Sequence, residues 1–238
     1  MSNISIKRFS DRESLFEAVA IRCQQQLSNV IAEQGIASFI VPGGSTPAPV
    51  FERLSKTNLD WKNITIALSD ERWLERDHQQ SNQRLIESTL LINQAKNARF
   101  VAMKNEIKEA SLGEKDCNFA YQKILSPFSL TLLGMGADGH FASLFPGINN
   151  LESALAPDNE KQCISIDATG SEVAGDYPER MSLTLSAILK SEVIVLLITG
   201  KEKLKVIENS QKESSSKKYP ISKLINQKQS PVEIYWCE

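Results

Sequence analysis

Histidine is scarce in this chain: 238 residues hold only two, His78 and His140. With no H-E-x-x-H pair, a zinc site would lack its usual nitrogen ligands, and no metal is expected. Cysteine is nearly as sparse. Cys23, Cys117, Cys163 and Cys237 are scattered without a C-x-x-C pair, which suggests buried reduced thiols rather than redox or metal chemistry. No apolar run approaches the roughly 20 residues of a membrane span. The longest, "VIVLLI", has the length of a core strand. The first residues, "MSNISIKRFSDRESLFEAVA", show no apolar signal region and no small-residue cleavage site, so a cytoplasmic protein with no membrane partner is expected. Neither sign of charge is in excess. Lys and Arg number 27 and Asp and Glu 29, a net charge of −2 that creates no global attraction to nucleic acid. An anionic ligand would need positive charge gathered locally.

Several catalytic signatures are missing as well. There is no Walker A sequence, and no G-x-S-x-G pentapeptide for a nucleophilic serine. Gly134-x-Gly136-x-x-Gly139 has the spacing of a dinucleotide fingerprint, but that motif needs a full helix after its third glycine. Here Pro146-Gly147 ends the segment too soon. No organic cofactor is expected.

What is present alternates between strand-like and helix-like patterns. Ser10-x-x-Glu13 has the form of a capping box, opening an amphipathic run that Gly35 stops. Apolar strands are expected at "ASFIV", "ITIAL", "ARFVAM", "LTLLG", "CISID", "EVIVLLITG" and "VEIYWC". Helices are expected after "GGSTP" (Thr46 as N-cap, Pro47 first in the helix), over "NQRLIESTLLINQA", around 112–125 and over "KEKLKVIENS". The stretch "INNLESALAPDNEK" looks like loop, as does the serine-rich 210–220. Continuous apolar strands alternating with helices indicate an α/β fold, with a mainly parallel sheet covered by helices on both faces. Residues 1–238 are read as one such domain.

In such sheets ligands bind beyond the carboxyl ends of the strands. Four polar turns leave strand ends here: "PGGSTP", "SDERW", "GMGADGH" and "TGKEK". His140, held in a glycine-rich turn after Asp138, is the candidate general base, since an imidazole can accept a proton near neutral pH. His78, among polar neighbours, is expected to be merely solvated. Gly43, Gly44, Ser45 and Thr46 offer backbone N–H groups, hydroxyls and a helix N-terminus to an anion. Lys203 could reach the same anion, and Arg72 and Arg180 are candidate forks for phosphate or carboxylate.

The ordered set "VPGGSTP", "SDERW", "GMGADGHFASLFPG", "PERMSLT" and "TGKEK" resembles the 6-phosphogluconolactonases, from about residue 37 to 206. "GADGHFASLFPG" is its most specific part. The resemblance implies a Rossmann-like fold shared with sugar-phosphate isomerases and deaminases. It also implies cofactor-free hydrolysis of 6-phospho-D-glucono-1,5-lactone, in the oxidative pentose phosphate pathway. His140 would then activate water and Asp138 would orient it. Arg72 would stabilise the oxyanion or hold sugar hydroxyls, with Asp70 beside it in the substrate site. Gly43, Gly44, Ser45, Thr46, Arg180 and Lys203 would surround the phosphate. Two other readings share the scaffold: a glucosamine-6-phosphate deaminase or related isomerase, and a non-catalytic sugar-phosphate binder. The deaminases carry an acidic residue in an N-E-P-G ending, where this chain has Leu144-Phe145-Pro146-Gly147.

Overall fold

A computed structural model describes residues 4–212 and 218–238. The chain opens with β1 (Ile4–Phe9) and the long α1 (Arg12–Gln34), followed by β2 (Ala37–Val41), α2 (Ala48–Ser55), β3 (Ile64–Leu68) and the short β4 (Asp70–Arg72). Next come α3 (Asn82–Thr89), β5 (Arg99–Val101), α4 (Ala110–Tyr121), β6 (Leu130–Leu133), a single turn α5 (Leu151–Ala154) and β7 (Cys163–Asp167). β8 (Glu179–Leu183), α6 (Leu185–Ile188), β9 (Ile194–Thr199), α7 (Lys201–Lys212), α8 (Ile221–Ile225) and β10 (Val232–Cys237) complete it.

Seven strands form one sheet in the order β1-β10-β9-β6-β2-β3-β5, and every pairing in it is parallel. β2 and β6 are buried at every position. That is why they read as unbroken apolar runs: a parallel strand covered on both faces has no polar side to show. From β2 the chain builds outward through β3 to β5, then crosses to the other side of β2 for β6. Such a reversal of strand order leaves a crevice beyond the carboxyl ends of β2 and β6.

α1 buries Leu15, Phe16, Val19, Ala20, Cys23, Leu27 and Val30, the expected face, and ends on Gly35 at φ 80°. Its start differs from the expected capping box. Asp11, not Ser10, is the N-cap, accepting from the Ser14 N–H at 2.8 Å, and Ser10 donates to Asp11. A carboxylate one residue closer to the helix takes the exposed N–H groups first.

Four further expectations are revised. β1 was not foreseen, because its Lys7 and Arg8 break the apolar pattern; as an edge strand it pairs with β10 alone. The helix after "NQRL" stops at Thr89, and the chain continues through Asn93, at φ 49°, into a short 3-10 turn. The presumed loop after Gly147 contains α5. Finally, β7 does not join the main sheet: with β8 and β4 it forms a separate antiparallel sheet in the order β4-β8-β7. Most of the serine-rich 210–220 segment lies outside the described residues.

Candidate active site

The loops beyond β2, β4, β6 and β9 meet in one cavity of about 260 Å³. Gly43, Gly44 and Thr46 line it from the first of these loops, Asp70 and Arg72 from β4. His140, Arg180 on β8 and Lys203 in the first turn of α7 close it. Nine of the ten candidate residues are therefore in the cavity wall or, for Asp138, hydrogen-bonded to it. Ser45 is the exception: it is exposed and outside the lining. Thr46 is not an N-cap. Pro47 already has helical angles (φ −79°, ψ −13°) and occupies that position, so no side chain caps α2 and Thr46 faces the cavity.

The sequence around His140 folds into a tight knot. Gly136 N–H donates to the His140 carbonyl at 2.9 Å, and Gly139 N–H to the Gly136 carbonyl at 3.0 Å. Any side chain at Gly136 would collide, since its Cβ would fall 2.2 Å from His140 Nδ1 and 2.4 Å from Asp138 Oδ1. His140 Nδ1 lies 2.6 Å from Asp138 Oδ1. Burial works to raise the Asp138 carboxyl, but hydrogen bonds and attraction from His140 prevail and lower it. An ionised Asp138 accepts Nδ1–H, which fixes the tautomer and leaves Nε2 as the basic nitrogen. The Phe145 ring packs on the imidazole with centroids 4.6 Å apart.

The same cavity gathers positive charge. β4 and β8 place Arg72 and Arg180 directly across from each other. Arg180 is 5% exposed and, among the described residues, donates to two main-chain carbonyls, Tyr177 at 2.5 Å and Ala174 at 2.8 Å. Burial pulls its pKa down to about 10, which Asp70 opposes and Arg72 reinforces. Arg72 donates through Nη1 to the Gln80 carbonyl and to Asn82 Oδ1. Lys203 has no hydrogen-bond or ion-pair partner among the described residues, and burial lowers its pKa against the pull of Asp138. Asp70 is the one carboxylate in the wall, and it is engaged by Ser143 Oγ at 2.6 Å and Ser69 Oγ at 3.0 Å. Three buried or half-buried cations without a carboxylate partner among the described residues make a pocket suited to an anion.

Asn82, Ser143 and Ala142 also shape the site without having been singled out in the sequence. Asn82 and Ala142 line it, the latter at φ 48°, and Ser143 holds Asp70 from full burial. Asn82 and Ser143 act through main-chain or buried partners, which no short motif marks. His78 stands apart, with its ring edge-on to Tyr177 at 5.0 Å. The four cysteines are buried free thiols. Among the described residues no group of three or more His, Cys, Asp and Glu side chains is placed to hold a metal ion. No helix among them is long and apolar enough to cross a membrane.

Fold and site together define a mainly parallel α/β scaffold with a cation-lined pocket and a histidine–aspartate pair. A family profile described as glucosamine-6-phosphate isomerases/6-phosphogluconolactonase matches residues 10–236. The chain belongs to that family. A 6-phosphogluconolactonase of Rhizobium meliloti is 35% identical over 229 residues, covering 96% of this chain and 97% of the relative. The crystal structure of a 6-phosphogluconolactonase from Shewanella baltica superposes with a TM-score of 0.93 at 34% identity, covering 99% of this chain and 98% of that one. A monomeric glucosamine-6-phosphate deaminase, at 18% identity, shares the fold with a TM-score of 0.77 over 98% of this chain and 97% of its own.

Proposed function

We infer that this protein is a 6-phosphogluconolactonase, hydrolysing 6-phospho-D-glucono-1,5-lactone to 6-phospho-D-gluconate in the oxidative pentose phosphate pathway. The observation that carries the reading is the Asp138–His140 pair at a cavity that Arg72, Arg180 and Lys203 also line. In this reading the lactone phosphate sits among Gly43, Gly44, Thr46, Arg180 and Lys203, close to the N-terminus of α2. Ser45, exposed beside them, contributes at most its main chain.

His140 Nε2 takes a proton from water as its oxygen adds to the lactone carbonyl. The C=O pair moves onto oxygen, and Arg72 faces that developing charge. Collapse of the tetrahedral intermediate breaks the ring C–O bond, and the protonated imidazole gives its proton to the departing ring oxygen. Asp138 stabilises the imidazolium between the two transfers. Fixed positive charge at the oxyanion is the larger contribution to rate, and a positioned base adds about 10²- to 10⁴-fold. The scheme uses side chains and water only. A phosphorylated substrate is too polar to cross a bilayer unaided, which accords with a cytoplasmic location.

Phe145 separates this reading from deamination. Shuttling a proton between adjacent carbons calls for a second acid–base group near the histidine, and the ring that packs on His140 is apolar. The test is hydrolysis of freshly generated 6-phosphogluconolactone, with spontaneous opening subtracted, beside deamination of glucosamine-6-phosphate. Lactone opening well above background with no ammonia release is expected. Ammonia release without lactone opening would favour the deaminase, and binding of 6-phosphogluconate without turnover would favour a sensor.

A further inference from the structure

Asn82 sits where three parts of the site meet. It is the first residue of α3, 2% exposed, and in the cavity wall. Its Nδ2 donates to the Asp70 carbonyl at 2.7 Å, and its Oδ1 accepts from Arg72 Nη1 at 2.9 Å. The same Oδ1 leaves no room for a side chain on the anion loop, as a Cβ at Gly43 would lie 1.9 Å from it. The amide supplies these on two separate atoms, a donor to the carbonyl and an acceptor to the guanidinium, which a serine hydroxyl is too short to span from the same position.

The amide is itself held in place. Glu71, fully buried, spans from β4 to the start of α3. Its Oε1 accepts from the Arg72 and Asn82 N–H groups at 2.8 Å each. Its Oε2 accepts from Gln83 N–H at 2.8 Å and Ser81 Oγ at 3.1 Å. A carboxylate at this helix N-terminus satisfies donors that the helix leaves open. Side chain and main chain of Arg72 are thereby both tied down. The two Nη1 hydrogens go to Gln80 O and Asn82 Oδ1 at 2.8 and 2.9 Å. The Nε and Nη2 hydrogens keep the other edge of the fork for a ligand.

We propose that Asn82, set by the buried carboxylate of Glu71, is a positioning residue that aims the Arg72 guanidinium at the ligand and fixes its distance from the Gly43 turn. The proposal rests on the reading of this cavity as the lactonase site. It requires that Asn82 act through Arg72, so its contribution should vanish once the guanidinium is gone. A merely structural role would not depend on Arg72.

The experiment is a double-mutant cycle on the full chain with Asn82→Ser, Arg72→Met and the combination, each checked by its melting curve. Asn82→Ser should lower kcat/KM about 10- to 100-fold, the scale of a displaced site group. Arg72→Met should lose more, and the double variant should lose no more than about 3-fold beyond Arg72→Met alone. Multiplying losses, or a fully active Asn82→Ser, would overturn the proposal. Asn82→Asp, close in shape, goes through the same cycle if the serine variant does not fold. Calorimetric binding of 6-phosphogluconate and of inorganic phosphate repeats the cycle without turnover. A wild type that binds but does not hydrolyse would overturn the lactonase reading while the binding cycle still judges Asn82. A wild type that does neither would overturn both.

Discussion

Two partly buried arginines in this molecule are treated in opposite ways. Arg22 on α1 meets Glu233 on β10 through Nε and Nη2, at 2.9–3.1 Å, and Lys7 on β1 joins the same carboxylate at 2.9 Å. Desolvation disfavours the charged Arg22, but its partner outweighs that and raises its pKa. Arg180 is more deeply buried, has no carboxylate partner among the described residues, and its pKa falls to about 10. The first arrangement is complete in itself and fastens the edge of the sheet. The second has only main-chain carbonyls for partners among the described residues, which leaves its charge open to an anion. A buried cation left without a counter-charge costs stability, and its place beside two other cations and a histidine supports the ligand site proposed above.

Exchanging the two arginines for apolar residues should separate activity from stability. Arg180→Met should reduce kcat/KM by about 100-fold or more, the scale of losing a desolvated charge contact. Its melting temperature should stay within a few degrees of wild type; steady-state kinetics beside calorimetry checks both. Lys203→Ala, at a less buried cation, should raise KM for the phosphorylated lactone about 10-fold with a smaller change in kcat. An unchanged KM would remove Lys203 from the site. Arg22→Met should do the reverse of Arg180→Met. Loss of its ion pair should cost about 1–3 kcal/mol, lowering the melting temperature by roughly 2–4 °C per kcal/mol, with activity per folded molecule unchanged.

Smallest is a pH effect on the paired cluster. Burial works to raise the Glu233 carboxyl, but bonds from Arg22 and Lys7 prevail and lower it to about 2 from an ordinary 4.5. The folded state therefore favours ionised Glu233. Its contribution is complete above about pH 4.5 and disappears as pH falls through about 2. Chemical denaturation across that window should show a steeper loss for wild type than for Glu233→Gln, and equal slopes would contradict the pairing.

The same contrast shows what the sequence makes legible. Continuous apolar strands such as β2, β6 and β9 announce themselves, because burial on both faces leaves no alternation to confuse. β1 and the three-residue β4 do not, since an edge strand carries charges and a short strand carries too few residues for a period. The β4-β8-β7 sheet was hidden for a further reason: its antiparallel pairings link positions more than 100 residues apart for β4 and β8. His140 and the Gly43–Gly44 loop were legible in the sequence because glycines and strand ends surround them, whereas Arg72, Arg180 and Lys203 gain weight only from the family resemblance. Asn82, Glu71 and Ser143 were not, because what they bind is main chain or buried side chain. Neither was the counter-charge of Arg22, as nothing near it in sequence points to Glu233.

The central claim is that the glycine turn presents His140 as a base to a lactone whose phosphate is held elsewhere in the cavity. His140→Ala measured for turnover and for 6-phosphogluconate affinity tests it most directly. Turnover above the spontaneous rate should fall about 10²- to 10⁴-fold, while product affinity changes by less than about 3-fold. Equal losses in both would contradict a base and make His140 a binding residue. Turnover that survives the substitution would move the chemistry to another side chain.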